Sequence, residues 1–224
     1  MRFHISKNGE IAECKAKQNK CPLEHFPSFK EAEAHLEEQS KVKKFIEKYS
    51  QDFKYNEEDV DYIYRAEPAI TADLMSLENS YIKLTNLEYR LKTKESIKEK
   101  IEVRKECKSV NELNDIIRYT FITDEENYTS NMNKTISSIL SKDGYNVIQI
   151  KNTWSTPGYK GVNCKFQKDD VKFEVQFHTK VSLEAKEAVH PIYQKARLLN
   201  ENSKEYQEYA KQMEYIFSLV PPVK

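Results

Sequence analysis

"GVNCKFQKDDVKFEVQFHT", residues 161–179, alternates twice over. In its second half Val171, Phe173, Val175 and Phe177 point one way, while Lys172, Glu174, Gln176 and His178 point the other. Period-two alternation marks a half-buried strand with its apolar set toward the core. The first half turns Val162, Cys164 and Phe166 inward, and Lys168-Asp169-Asp170 reads as the turn between the two strands. Paired strands share an outward face, so Asn163 and Lys165 fall on the same side as Glu174, Gln176 and His178. A wet sheet is usually dressed with Lys and Thr. This outer face carries Glu, Gln and His, which makes it a candidate substrate surface.

Working outward, "DIIRYTFI" (115–122) and "NVIQIKN" (146–152) read as further strands, rich in β-branched and aromatic residues. Between them "YTSNMNKTISSILSKDGY" (128–145) reads as a helix closed by Gly144, and helices over 182–198 and 203–219 finish the chain. Upstream, Leu74, Leu77, Tyr81, Leu84, Leu87 and Leu91 recur at spacings of three and four, which predicts one long helix with a core-facing stripe. Ser96-Ile97-Lys98-Glu99 matches a capping box and predicts a helix from Ser96 to about Cys107. The order predicts an α+β fold, a mixed β-sheet flanked by helices. Ahead of it, residues 1–25 read as a small hairpin, "RFHIS" and "EIAECKA" around a Lys7-Asn8-Gly9 turn. Ser28 caps a helix running to about Lys48. The acidic "QDFKYNEEDVDY" (51–62) reads as a connector, giving an N-terminal hairpin-plus-helix module over 1–50 and a main domain over 51–224.

With 36 basic and 36 acidic residues the formal charge is zero, so no bulk field draws the chain to nucleic acid or anionic lipid. A charged fraction of 32% with four glycines suits a helix-rich protein with few flexible loops. The start, "MRFHISKNGEIAECKAK", has no apolar signal segment, and no run approaches membrane-spanning length, so a cytoplasmic protein is expected. Disulfides are not expected in that compartment. Cys14 and Cys21, with His4 and His25 nearby, suggest a zinc site. Their spacing of seven matches no short-knuckle pattern, however, so the four read as ordinary hairpin residues.

Three stretches carry candidate chemistry, each beside a plainer reading. In "STPGYKGVN" (155–163), Gly158 and Gly161 bracket Tyr159 and Lys160: an aromatic for base stacking and a cation for phosphate, or a packed tyrosine in a loop. In "YRLKTKESIKEK" (89–100), Arg90, Lys92 and Lys94 precede the Ser96 helix start, an anion site or a solvated charge run. Asp115 at a strand mouth suits Mg²⁺ ligation or a turn; with Glu174 on a neighbouring strand it would complete a pair of hard oxygen ligands.

In that order along the chain, "RLKTKESIKEK", "DIIRYTF", "GYKGVN" and "EVQFHT" resemble four motifs of the RelA/SpoT alarmone synthetase domain, over about Arg90 to His190. The resemblance implies a nucleotidyltransferase-like sheet and transfer of pyrophosphate from ATP to the 3′-hydroxyl of a nucleotide. It implies ATP phosphates on Arg90, Lys92, Lys94, Ser96 and Lys100, and Mg²⁺ on Asp115 and Glu174, the two catalytic carboxylates. Glu174 would also accept the hydroxyl proton. The acceptor (GDP, GTP, an adenine nucleotide or a tRNA end) would meet Tyr159, Lys160, Asn163, Gln176 and His178.

Departures fall on the acceptor side. Arg118 stands where the family has glycine, Thr120 and His178 where it has arginine, and Asn163 where histidine is common. Each of the last three replaces a stronger phosphate donor. Lys186 and His190, one helical turn apart, either compensate or form a plain exposed helix face. Divergent relatives include growth-inhibiting toxins that make adenosine alarmones or pyrophosphorylate tRNA, and the N-terminal segment resembles a short module found ahead of varied bacterial and phage domains. These resemblances imply a toxin-type synthetase with an antitoxin or a second copy of itself as partner. A catalytically inactive nucleotide-binding regulator is the alternative from another class.

Overall fold

The computed structural model describes residues 2–6, 9–16, 21–51 and 53–224, with backbone alone for 42–51. Most of the expected Lys7-Asn8-Gly9 turn lies outside them. The chain divides into two compact units, Met1–Lys54 and Tyr55–Lys224.

In the smaller unit, β1 (Phe3–Ile5), β2 (Ile11–Glu13) and β3 (His25–Phe26) form an antiparallel sheet in the order β2-β1-β3. The expected hairpin has thus gained a third strand, in which His4 faces His25 and Phe3 faces Phe26. Helix α1 (Phe29–Gln51) follows, its first turn capped by Ser28, whose Oγ accepts from the Glu31 amide at 3.2 Å. His4, Cys14, Cys21 and His25 are not scattered hairpin residues. Strand pairing gathers their donor atoms within 4.8 Å of one another.

The larger unit is built on a five-stranded sheet in the order β4-β5-β8-β7-β6. Its strands are β4 (Ile82–Thr85), β5 (Arg118–Thr123), β6 (Tyr145–Asn152), β7 (Val162–Lys168) and β8 (Val171–His178). The pair β5/β8 is parallel and every other pair antiparallel. One face is the core: Tyr119, Phe121, Cys164, Phe166, Phe173, Val175 and Phe177 are all buried, each large side chain worth about 1.5–3 kcal/mol of transfer free energy. Phe121 stacks on Phe177 and Phe166 on Phe173. Helices α2 (Glu57–Met75) and α4 (Tyr128–Leu140) cover this face. Tyr145 donates to Asp73 of α2 at 2.7 Å, and Tyr128 of α4 donates to the Phe177 carbonyl at 2.7 Å. The β7–β8 turn is close-packed on the loop before β6. A side chain at Gly144 (φ +79°) would put its Cβ 2.8 Å from the Asp169 carboxylate.

Three local expectations need correction. The leucine stripe is not one helix: α2 stops at Met75, the Ser76 amide closing on the Ala72 carbonyl, and Ile82–Thr85 pairs with β5 as the edge strand β4. The acidic connector is shorter than expected, because Glu57, Glu58 and Asp59 form the first turn of α2 behind the Asn56 cap, where acids suit the helix dipole. The helix opened by Ser96 instead starts at Lys94 with Thr93 as cap. It comprises α3 (Lys94–Lys98) and a π turn over Glu99–Val103, and ends there. Helices α5 (Lys180–Ala196) and α6 (Lys204–Ser218) close the chain. Among the described residues no helix is long and apolar enough to cross a membrane.

Candidate active site

The polar face of the sheet is ordered in rows by strand register. Glu174 on β8 has Arg118 beside it on β5 and Lys165 beside it on β7; one step along, Gln176 lies between Thr120 and Asn163. Above these rows α5 supplies Lys186 and His190. Three clefts of about 760, 640 and 520 Å³ open here, and Arg118 and His190 line all of them. Among the described residues the Arg118 guanidinium has no hydrogen bond or ion pair, so its donors are free for a ligand.

The largest cleft is cationic. Arg90, Lys92, Ser96, Lys100 and Arg104 surround Asp115. Lys92 Nζ lies 2.8 Å from Asp115 Oδ2, and Lys100 Nζ lies 3.3 Å from both carboxylate oxygens. Burial alone would raise the Asp115 pKa, but Lys92 and Lys100 outweigh it and hold the carboxyl below its ordinary range. Arg90 is anchored to the buried Glu67 of α2, Nε to Oε1 at 2.5 Å, which fixes the guanidinium at the cleft wall. Burial opposes ionisation of Glu67 too, and hydrogen bonds from Arg90 and Thr71 reverse the balance. The π turn at Glu99–Val103 follows α3 directly and carries Lys100 toward Asp115.

The second cleft is lined by Tyr159, Tyr193, Tyr206, Met213 and Phe217, with Asn163, Gln176, Lys186 and Glu214 among its polar groups beside Arg118 and His190. Lys186 Nζ donates to Gln176 Oε1 at 2.5 Å, and the Gln176 amide donates to Glu174. This chain ties the helix to the catalytic candidate on the strand. Burial, reinforced by Arg118 and partly offset by Glu174, lowers the Lys186 pKa to about 8. Tyr159 is held edge-on against Phe217, its hydroxyl 2.8 Å from Asn163 Oδ1 and 2.8 Å from His178 Nε2.

Not every expected residue reaches the clefts. Lys94 turns away to Asp61 (2.6 Å) and Glu57 (2.8 Å) at the start of α2. Lys160 is a loop staple, donating to the carbonyls of Trp154 (3.0 Å) and Thr156. His178 is fully buried between Tyr159 and Ser182, 2.8 Å from each, and lines none of the three clefts. Burial and then the charge of Lys186 lower its pKa to about 3, against the Lys160 backbone, so this imidazole is neutral. Glu174 stands in the polar row beside Arg118, whose backbone N–H bonds to the Arg90 carbonyl at 2.8 Å. Arg118 itself was noted in the sequence only as a departure. Its alternation with Tyr119 places it on the same face as Thr120, two residues away, where the resembling motif has its arginine.

No family model matches this sequence, and no curated protein matches it either. Solved structures do. Small alarmone synthetase 1 from Bacillus subtilis, bound to its product pppGpp, is 16% identical over 70% of this chain and 88% of that one, with a TM-score of 0.52. Small alarmone synthetase 2 from the same organism is 18% identical over 73% and 92%, with a TM-score of 0.52. A GTP pyrophosphokinase family protein from Streptococcus pneumoniae is 17% identical over 72% and 87%, with a TM-score of 0.53. Identity this low speaks for the shared path of the chain and leaves each side chain to be argued from its own surroundings. The chain is built on the fold of the RelA/SpoT-type small alarmone synthetases.

Proposed function

We propose that the larger unit transfers pyrophosphate from ATP to the 3′-hydroxyl of a nucleotide acceptor. The observation that carries this reading is the meeting of a cationic cleft and a tyrosine-lined cleft at Arg118, whose guanidinium has no hydrogen bond or ion pair among the described residues. A triphosphate suits Arg90, Lys92 and Lys100, whose charge-assisted donors sit on a fixed wall. A base suits the aromatic cleft. Glu174 accepts the proton as the 3′-oxygen attacks the β-phosphorus. The bond from that phosphorus to the α-phosphate oxygen breaks, and AMP leaves. Arg118 stabilises charge on the group in transit, and the Lys186–Gln176 chain holds Glu174 in place.

Mg²⁺ is the expected cofactor, and the donors suit it. Asp115 and Glu174 are hard carboxylates, Asp115 stays ionised, and the Glu174 amide bonds at 2.9 Å to the carbonyl of Ile117, two residues past Asp115. When bound, the ion would neutralise phosphate charge. Asp115 and Glu174 would hold it.

The test is incubation of the purified chain with labelled ATP, Mg²⁺ and, separately, GDP, GTP, ATP or tRNA. Transfer to a mononucleotide supports the alarmone reading, and transfer to tRNA alone moves the acceptor to the RNA end. Intact ATP binding with no transfer identifies a regulator instead. A toxin role predicts growth arrest on expression, relieved by Glu174→Gln.

A further inference from the structure

The described side chains of the smaller unit form only a thin apolar core. Among its described residues Ala32 is the one fully buried apolar side chain, supplemented by an edge-on contact of Phe3 with Phe29 and a ring contact of Phe26 with His35. Units of this size with so thin a core are ordinarily stapled by a disulfide or a metal. The cysteines here are free thiols.

What the unit has instead is a set of four soft and borderline donors at one place. His4 on the central strand and His25 on β3 are cross-strand partners, with ring centroids 6.0 Å apart. Cys14 follows β2, and its amide bonds to the Arg2 carbonyl at 2.7 Å, extending the ladder and bringing its thiol beside His25. Cys21 precedes β3 and lies beside His4. Cys21 Sγ is 3.6 Å from His4 Nδ1, and Cys14 Sγ is 3.1 Å from His25 Nε2. A tetrahedral ion with metal–sulfur bonds of about 2.3 Å and metal–nitrogen bonds of about 2.0 Å keeps neighbouring donors about 3.5 Å apart. The two observed separations bracket that value, and all four donors fall within 4.8 Å of one another.

We propose that His4, Cys14, Cys21 and His25 form a structural zinc site that fastens the three strands of the N-terminal sheet. Two thiolates and two imidazoles in tetrahedral array select zinc over magnesium or calcium, which take oxygen ligands. Four protein ligands leave no open position for a substrate or an activated water, so the site stabilises and does not catalyse. Binding displaces the two thiol protons to solvent, and folding of the sheet and metal binding become one equilibrium. None of this depends on the activity of the larger unit.

The experiment is metal analysis of the full chain, purified under reducing conditions without chelator. One zinc per chain is expected, and exchange for Co²⁺ should give the intense visible bands of a tetrahedral site with thiolate charge transfer. Cys14→Ser or Cys21→Ser should lower bound zinc to below about one tenth per chain. Cys107→Ser, in the larger unit, should leave it unchanged. If the serine variants do not fold, the wild-type zinc content and cobalt spectrum still decide. The proposal is overturned if the wild type binds no zinc when it is supplied, if cobalt gives only a weak octahedral spectrum, or if Cys14 and Cys21 alkylate at the same rate with and without zinc.

Discussion

His178 makes an acid-sensitive joint under the catalytic face, and its effect can be worked out. The ring is fully buried, bonded to Tyr159 and Ser182, and feels the Lys186 charge, while Glu174 shares its face of β8. Its pKa falls from 6.5 to about 3, first through burial and then through Lys186. Between those two values the unfolded chain binds a proton that the folded chain does not, so stability is lost as pH falls below about 6.5. Taking the sample from about pH 7.5 to about pH 5 therefore costs about 2 kcal/mol through this residue. For a domain of this size that lowers Tm by about 4–8 °C. Lys186 contributes its own loss between about pH 10.5 and 8, above the window. Asp115 and Glu67, with lowered pKa values, contribute only below the ordinary carboxylate range. The perturbation is His178→Gln, which keeps a polar group near Tyr159 and cannot titrate. Trp154, the sole tryptophan, packs against Tyr128 in the larger unit, so its fluorescence reports that unit's unfolding. The variant should be less stable than wild type at neutral pH, and its further loss on acidification should be smaller by about 4–8 °C. Parallel losses in the two proteins would refute the reasoning.

Two further predictions concern the site itself. Gly161→Ala places a Cβ 2.9 Å from His178 Cε1, 3.1 Å from the Tyr159 hydroxyl and 3.2 Å from the Phe177 carbonyl, so it should cost about 1–3 kcal/mol and about 2–12 °C in Tm. An unchanged melting curve would show that the loop is not packed on His178 in this way. Lys100→Met should weaken ATP binding by about 10- to 100-fold, the value of a charge-assisted contact, measured by titration calorimetry. Lys94→Met, removing a side chain already engaged by Asp61 and Glu57 outside the cleft, should leave the affinity within about twofold.

The sequence carried the centre of the sheet further than its edge. β7 and β8 alternate because one face packs on aromatic core and the other meets the clefts, and the register pairs Asn163 with Gln176 and Lys165 with Glu174 as the pattern requires. β4 was hidden. Its four residues sit inside a leucine spacing that mimics a helix, and only pairing with β5 makes them a strand. His178 shows the limit of alternation: period two gives the side of a sheet, but not that Ser182 of α5 later seals that end. Lys94 and Lys160 show the same limit for charge, since their partners at Asp61 and Trp154 depend on tertiary folding. Arg118 was legible, because Arg118 and Thr120 share a face by simple parity. The Cys/His cluster was visible as four candidates and set aside on their spacing, because the fold and not short sequence spacing brings its donors together.

The claim on which the functional account turns is that Glu174 and Arg118, paired across β8 and β5, act together in the transfer. Its most direct measurement is the rate of labelled pyrophosphate transfer from ATP to the preferred acceptor by wild type, Glu174→Gln and Arg118→Ala, each confirmed folded. The account predicts transfer by wild type, a loss of at least about 100-fold in Glu174→Gln, and a loss of about 10- to 100-fold in Arg118→Ala. Variants that transfer at the wild-type rate, or a wild type that transfers to none of the acceptors, would contradict it.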